Sequence, residues 1–286
     1  MTRKNLTRPL LLLLLILSLG SGCRKQDSAA EMEQSKPAPG SYYKTLELLN
    51  EKQKSIYRLA GTAEEENRGI RELNEERLML ACQYAPYNSE ALKLVKNEAG
   101  KLSREQMMEV YNSLAPAMQK RQLGKAMKAY AKKEGVLVGD PLPHFGGVGV
   151  DGKPFDWSVT EGKRVLLIYE GWGYLKRSSH FWFKDLLAAT DRDSLAVVAY
   201  VYAASMAELQ KRVKAFQLEP YLVISDLQGK EGPLDRKMGI KGIPTYYYTD
   251  RQGRVRRVVA GFDPERFTME TGLSPQWGES WIDKQL

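Results

Sequence analysis

Cysteine and histidine are nearly missing from this sequence: 286 residues hold two of each, Cys23, Cys82, His144 and His180. So few cysteines exclude a disulfide framework. No Cys or His stands at the spacing of a zinc site. No pair of carboxylates in a helical stretch suggests general acid–base chemistry, and the sequence implies no metal and no cofactor. After Leu19 no stretch approaches the eighteen or so apolar residues of a membrane-spanning helix. Acid is also short: 35 Asp and Glu against 43 Lys and Arg leave a formal charge of +8. A basic balance favours anionic surroundings, yet no basic cluster is interleaved with aromatic residues as a nucleic-acid site requires. The densest run, Lys120 to Lys133, reads as the solvated face of a helix. What remains is ordinary globular material, 43% hydrophobic and 27% charged, long enough for one or two domains.

The first residues carry an address. Arg3, Lys4 and Arg8 precede an apolar core, Leu10 to Leu19, which is too short to span a bilayer. Gly20-Ser21-Gly22-Cys23 follows, and small residues running into a Cys resemble the cleavage site of bacterial lipoproteins. The resemblance implies a signal peptide over 1–22 and lipid, palmitate included, on Cys23. It implies a chain anchored to a membrane of the bacterial cell envelope, on the periplasmic side or the cell surface. The usual Leu three places before the Cys is Gly20 here. With Cys23 lipidated, Cys82 is the one thiol left. Its apolar setting in "LMLACQYAP" reads as structural.

Residues 23–41 are polar, with Pro37, Pro39 and Gly40, and read as a flexible tether. Residues 42–134 read as helices throughout. Thr62 with Glu65 and Ser103 with Gln106 make capping boxes, and Leu102 with Met107 fits a hydrophobic staple. Met107, Val110, Tyr111 and Leu114 line one helical face. Asn88-Ser89 caps a helix that ends at Gly100.

After Gly135 the pattern changes. "FGGVGVDGKPFDW" predicts a hairpin turning at Asp151-Gly152. Strand Val165–Tyr169, a helix from about Tyr174 to Thr190 and strand Leu195–Tyr202 follow. Ser205 with Glu208 boxes another helix. Strand Tyr221–Ser225, a short helix near Leu234–Met238 and two hairpin strands, Thr245–Thr249 and Arg254–Ala260, complete the series. Strands separated by helices, then a closing hairpin, predict a mixed α/β sheet covered on both faces. Beyond 262 a short helix near Pro264 to Met269 leads into a Gly/Pro/Trp tail, with Trp277 and Trp281 as candidates to cover the sheet.

Four segments together resemble the thioredoxin-like fold, and within it the TlpA-type thiol–disulfide lipoproteins of bacterial envelopes. They are "VGDPLPHF" (Val138 to Phe145), "DGKPFDW", "VLLIYEGW" and "MGIKGIPTYYYTDRQGRV". The match spans 137–262, and the helices before it look like the lead-in of many such lipoproteins. The fold class implied is α/β: a thioredoxin-like mixed sheet flanked by helices, preceded by an all-helical N-terminal region, with 263–286 a C-terminal tail.

The resemblance also implies where chemistry would sit, and it is missing. The family's reactive turn is Trp, Cys, two residues, Cys. Trp172 matches the Trp, Gly173 stands at the first Cys and Lys176 at the second, with Tyr174 and Leu175 between. Exchange needs a thiolate that attacks a disulfide, and neither Gly173 nor Lys176 can supply one. Pro244 matches the family's cis-proline, whose loop pairs with extended peptides, a binding mode that needs no sulfur. The expected groove is therefore Trp172, Gly173, Tyr174, Ile243 and Pro244, with Trp172 at the sheet's edge. The expected function is a redox-inactive binding or assembly lipoprotein whose partner is an extended peptide or an envelope protein. The alternative is a protein of envelope thiol–disulfide homeostasis that works through Cys82. Ser179 and His180 are adjacent on a helix and point apart, which excludes a Ser–His nucleophile.

Overall fold

A computed structural model describes residues 40–240 and 242–276. The signal segment, Cys23, most of the tether, Trp277 and Trp281 lie outside the described residues. The described residues from Tyr42 onward form one compact unit.

Helices fill the first half: α1 (Ser41–Leu59), α2 (Ala63–Tyr84), α3 (Ser89–Asn97), α4 (Arg104–Ser113), α5 (Pro116–Gln119) and α6 (Gln122–Ala131). Local chemistry starts them. At α4 the capping box is complete: Ser103 Oγ accepts from the Gln106 amide, and Gln106 Oε1 accepts from the Ser103 amide. Leu102 and Met107, the staple pair, are both fully buried. Asn88 Oδ1 accepts from the amides of Glu90 and Ala91 at the head of α3. Thr62 Oγ1 accepts from the Glu65 amide, but the Glu65 carboxylate turns to the amide of Gly61 instead of closing the box. The helix predicted to run to Gly100 stops at Asn97, and a 3-10 turn over Ala99–Lys101 carries the chain on. Leu78, Leu92, Val95, Val110, Leu114 and Met127 join the staple pair in a core belonging to this region.

The second half is a five-stranded sheet in the order β3-β2-β1-β4-β5. The strands are β1 (Arg164–Tyr169), β2 (Leu195–Tyr200), β3 (Leu222–Ile224), β4 (Thr245–Thr249) and β5 (Val255–Ala260). β1 runs parallel to β2, and β2 parallel to β3; β1–β4 and β4–β5 are antiparallel. Between them lie α7 (Arg177–Ala189), α8 (Met206–Phe216) and α9 (Leu234–Met238), and α10 (Pro264–Thr271) follows β5. Every residue of β1, β2 and β4 is buried, which is why these strands read as unbroken apolar and aromatic runs, as strands covered on both faces do. Alternation divides the side chains between two layers. Leu166 and Ile168 pack with Phe183, Leu209 and Phe267. Leu167 and Tyr169 pack on the other face with Phe145, Trp157, Leu234 and Met238.

One sequence expectation is met in short form and another changes. The hairpin in "FGGVGVDGKPFDW" forms around a single bridge, Val148 to Pro154, flanked by the bonds from the Gly149 amide to the Lys153 carbonyl and from the Phe155 amide to the Gly147 carbonyl (both 2.9 Å), while Val148 exchanges its own amide and carbonyl bonds with Ser225 after β3. Trp157 then begins a 3-10 turn and donates from its indole to the Phe145 carbonyl (2.9 Å). The helix expected from Tyr174 begins at Arg177, since Lys176 is extended and acts as its N-cap without a side-chain hydrogen bond.

The join between helices and sheet is closed by Arg104. Its guanidinium donates to the carbonyls of Ala131 (3.1 Å), Lys133 (2.6 Å) and Gly135 (2.5 Å) and to the Asp140 carboxylate (3.2 Å). Asp140 Oδ2 in turn accepts from the Leu137 amide. A planar five-donor fork is the one side chain able to serve so many acceptors at once.

Candidate functional site

The carboxyl end of β1 delivers the turn 170–176. Glu170 and Gly171 both have positive φ, 51° and 94°. The turn needs Gly171: a Cβ there would lie 2.6 Å from the ring and nitrogen of Pro244. The Ile243–Pro244 bond is cis, as the resemblance implied. The 171 turn and the 243–244 segment are therefore in contact. Gly173, Tyr174 and Lys176 face solvent, Tyr174 at 73% exposure. Ile243 is partly buried, and among the described residues its amide and carbonyl have no backbone partner. Pro244 itself is buried.

Trp172 departs from expectation. It lies in the core, not at the sheet's edge, with no exposed surface. Its indole packs against Tyr221 (5.2 Å between ring centres), Phe183 (6.4 Å) and His180 (6.0 Å). The positive φ of Glu170 and Gly171 turns the chain so that the next side chain points under α7. Trp172 is thus removed from the groove as a contact residue, although its Nε1 has no partner among the described residues. His180 is structural too: its Nε2 donates to the Trp172 carbonyl (3.1 Å) and its ring stacks towards Phe216. His144 stacks flat on Trp157, with ring centres 4.9 Å apart.

Sequence reasoning missed the polar groups beneath the turn. Glu170 is 4% exposed, and its Oε2 accepts from the Tyr202 amide (2.6 Å) while Arg212 stands 3.6 Å from Oε1. Burial holds this carboxyl above its ordinary range against the lowering pull of the Tyr202 and Gly171 amides and of Arg212. Beside it Tyr169 and Tyr202 donate to the Asp235 carboxylate (2.8 and 2.6 Å), and Tyr200 donates to Asp226 (2.9 Å). Burial first pushes all three phenols upward, followed by Tyr200 and then Asp235 for Tyr169, and by the neighbouring carboxylates for Tyr200 and Tyr202. The two bonds to Asp235 fasten α9 to the sheet. The Tyr247 hydroxyl adds a bond to the Met238 carbonyl (2.8 Å). The segment leading to Ile243 and Pro244 is therefore held at its start. The available signal was tyrosine at alternate positions 200 and 202, beside Tyr169 at a strand end.

Sulfur is absent from this site. Cys82 lies in α2 against the separate helical core. Burial and the charge of Glu109 push its thiol up to about 11. Among the described residues no group of His, Cys, Asp and Glu could hold a metal ion. No helix among them is long and apolar enough to cross a membrane.

No family model and no curated protein matches the chain. Among solved structures it is similar to a thiol–disulfide isomerase from Corynebacterium glutamicum, at 16% identity over 46% of this chain and 92% of that one, TM-score 0.38. It is also similar to a thiol–disulfide oxidoreductase from Bacteroides fragilis, at 14% identity over 43% and 92%, TM-score 0.37. A third is StoA from Bacillus subtilis, at 18% identity over 46% and 98%, TM-score 0.36. The strand order β3-β2-β1-β4-β5, its directions, and the cis-proline seated on the turn after β1 give this chain the thioredoxin-like fold.

Proposed function

We propose that this protein is a redox-inactive, thioredoxin-like binding lipoprotein of a bacterial envelope, anchored through lipid on Cys23. Its turn 173–176 and the Ile243 segment receive an extended peptide or the extended part of an envelope protein. One observation carries the reading. At the mouth of β1 an exposed Tyr174 and a side-chain-free Gly173 stand beside a segment whose Ile243 backbone is unpaired among the described residues. An unpaired amide and carbonyl are what a β-strand partner needs, and an exposed aromatic is the kind of anchor it buries. The chemistry of exchange has no place here, because Gly173 and Lys176 carry no thiol. The Cys82 alternative is disfavoured by a thiol held protonated far above neutral pH.

The test is capture of envelope proteins by the purified protein, compared with Tyr174→Ala. Capture should weaken by about tenfold, as loss of an interface anchor worth 1–2 kcal/mol does, with the melting temperature unchanged. Undiminished capture by Tyr174→Ala would remove the groove. Mass spectrometry of the mature amino terminus should find a lipid-modified Cys23; a mature chain that begins elsewhere would remove the anchor.

A further inference from the structure

A second open space lies away from the turn. Two adjoining cavities, about 470 and 300 Å³, lie between α2, the edge strand β5 and α10. They share Arg71, Glu75, Arg256, Arg257 and Glu270 and so form one cleft. Its volume is in the range of small-molecule sites, ~300–1,000 Å³.

The cleft is built of arginine. Arg68, Arg71, Glu72 and Glu75 stand at i, i+3, i+4 and i+7 on α2, one face of the helix. β5 brings Arg256 and Arg257 from the facing side, and Arg254 just before it adds a third guanidinium. With Lys101 and Arg164 the lining holds seven cations against four carboxylates. The carboxylates are partly spent. Glu75 pairs with Arg257, Glu270 lies 3.5 Å from Lys101 and 3.9 Å from Arg257, and Asp250 accepts the amides of its own turn. Arg71 donates to the Thr268 carbonyl (3.1 Å). Arg68 and Arg256 make no side-chain hydrogen bond or ion pair among the described residues. Burial first, then the charge of Arg257, hold the Arg71 guanidinium down to about 10 against the opposing pull of Glu75 and Glu72. Guanidinium pairs of this kind are matched in geometry and charge by the oxygens of phosphate or carboxylate groups.

We propose that this cleft binds a small soluble polyanion bearing phosphate or carboxylate groups, held between Arg71 and Arg257 and reached by Arg68 and Arg256. Such a ligand would bridge the helical region and the edge of the sheet. The inference is independent of the groove at 173–176, and either can fail alone.

The experiment is calorimetry and thermal unfolding of the whole protein with inorganic phosphate, pyrophosphate and citrate, against sodium chloride at equal ionic strength. Pyrophosphate or citrate at millimolar concentration should raise the melting temperature by at least about 2 °C while matched chloride does not. The double variant Arg68→Gln/Arg256→Gln removes charges that carry no side-chain bond among the described residues. It should weaken binding at least about tenfold, the loss expected for charge-assisted hydrogen bonds, and leave the unliganded melting temperature in place. No response to any of the three anions beyond that of chloride would overturn the proposal. So would binding undiminished in the double variant, or binding seen only to vesicles that contain anionic phospholipid.

Discussion

Replacing Trp172 by alanine is expected to cost about 3–5 kcal/mol of stability, as truncation of a fully buried Trp does. The figure follows from its setting: no exposed surface, with Tyr221, Phe183 and His180 packed around the indole. An aromatic side chain buries some 150–250 Å², which at ~25 cal/mol per Å² makes this one residue a large share of a total stability of about 5–15 kcal/mol. Phenylalanine separates the two parts of the effect. It keeps most of the packing and removes an Nε1–H that has no partner among the described residues. An unsatisfied buried donor costs roughly 1–3 kcal/mol, so Trp172→Phe should fall below about 1.5 kcal/mol. Tyr174→Ala, two residues on and 73% exposed, should stay within about 0.5 kcal/mol of the parent. Urea unfolding followed by circular dichroism gives all three from midpoints at constant m. Should Trp172→Ala cost less than about 1 kcal/mol, or Phe cost as much as Ala, the assignment of Trp172 to the core would be wrong.

Three further outcomes are expected. Arg104→Ala should destabilise by roughly 2–4 kcal/mol in the same assay, since it strands three carbonyls and a carboxylate; Arg104→Lys should recover little of it, and full recovery would refute the geometric argument. The Glu170 carboxyl is raised in the folded state above its ordinary 4.5, so its contribution is fully present below that value and is lost as pH rises through the raised one. The stability of Glu170→Gln relative to the parent should therefore be worse at pH 4.5 than at pH 8, and a pH-independent difference would contradict the shift. The Cys82 thiol, raised from an ordinary 9.0 to about 11, should react with a disulfide reagent at pH 8 about 100-fold more slowly than in the urea-unfolded chain, from its thiolate fraction alone; equal rates would return it to the list of working thiols.

Much of this fold was legible because its signals are local. The Ser103–Gln106 box, the Asn88 cap and the apolar run of β1 each need only a few neighbouring residues, and each appears in the structure. The fate of Trp172 was illegible for the opposite reason. Periodicity assigns faces inside a strand or helix, and Trp172 comes after two positive-φ residues, where neither period applies. The Asp151-Gly152 hairpin before β1 forms, but the second pairing of its Val148, with Ser225, joins segments far apart in sequence and could not be read. The arginine cleft could not be seen at all: its two sides come from α2 and β5, nearly at opposite ends of the chain. Read alone, Arg68 and Arg71 belong to an ordinary charged helix surface.

The Arg104 fork bears on how this protein could be inherited in parts. Composition changes character near Gly135, and a gene fusion or an excision would most naturally fall there. Yet that is where one side chain from the helical half grips the connecting backbone at 131, 133 and 135 and the Asp140 carboxylate. A sheet cut free at the seam would leave its leading segment without the charge that Asp140 answers, and the half-buried guanidinium would keep only the carbonyls of Ala131 and Lys133. The compositional border is thus a poor place to divide the protein, because there each half completes the hydrogen bonds of the other.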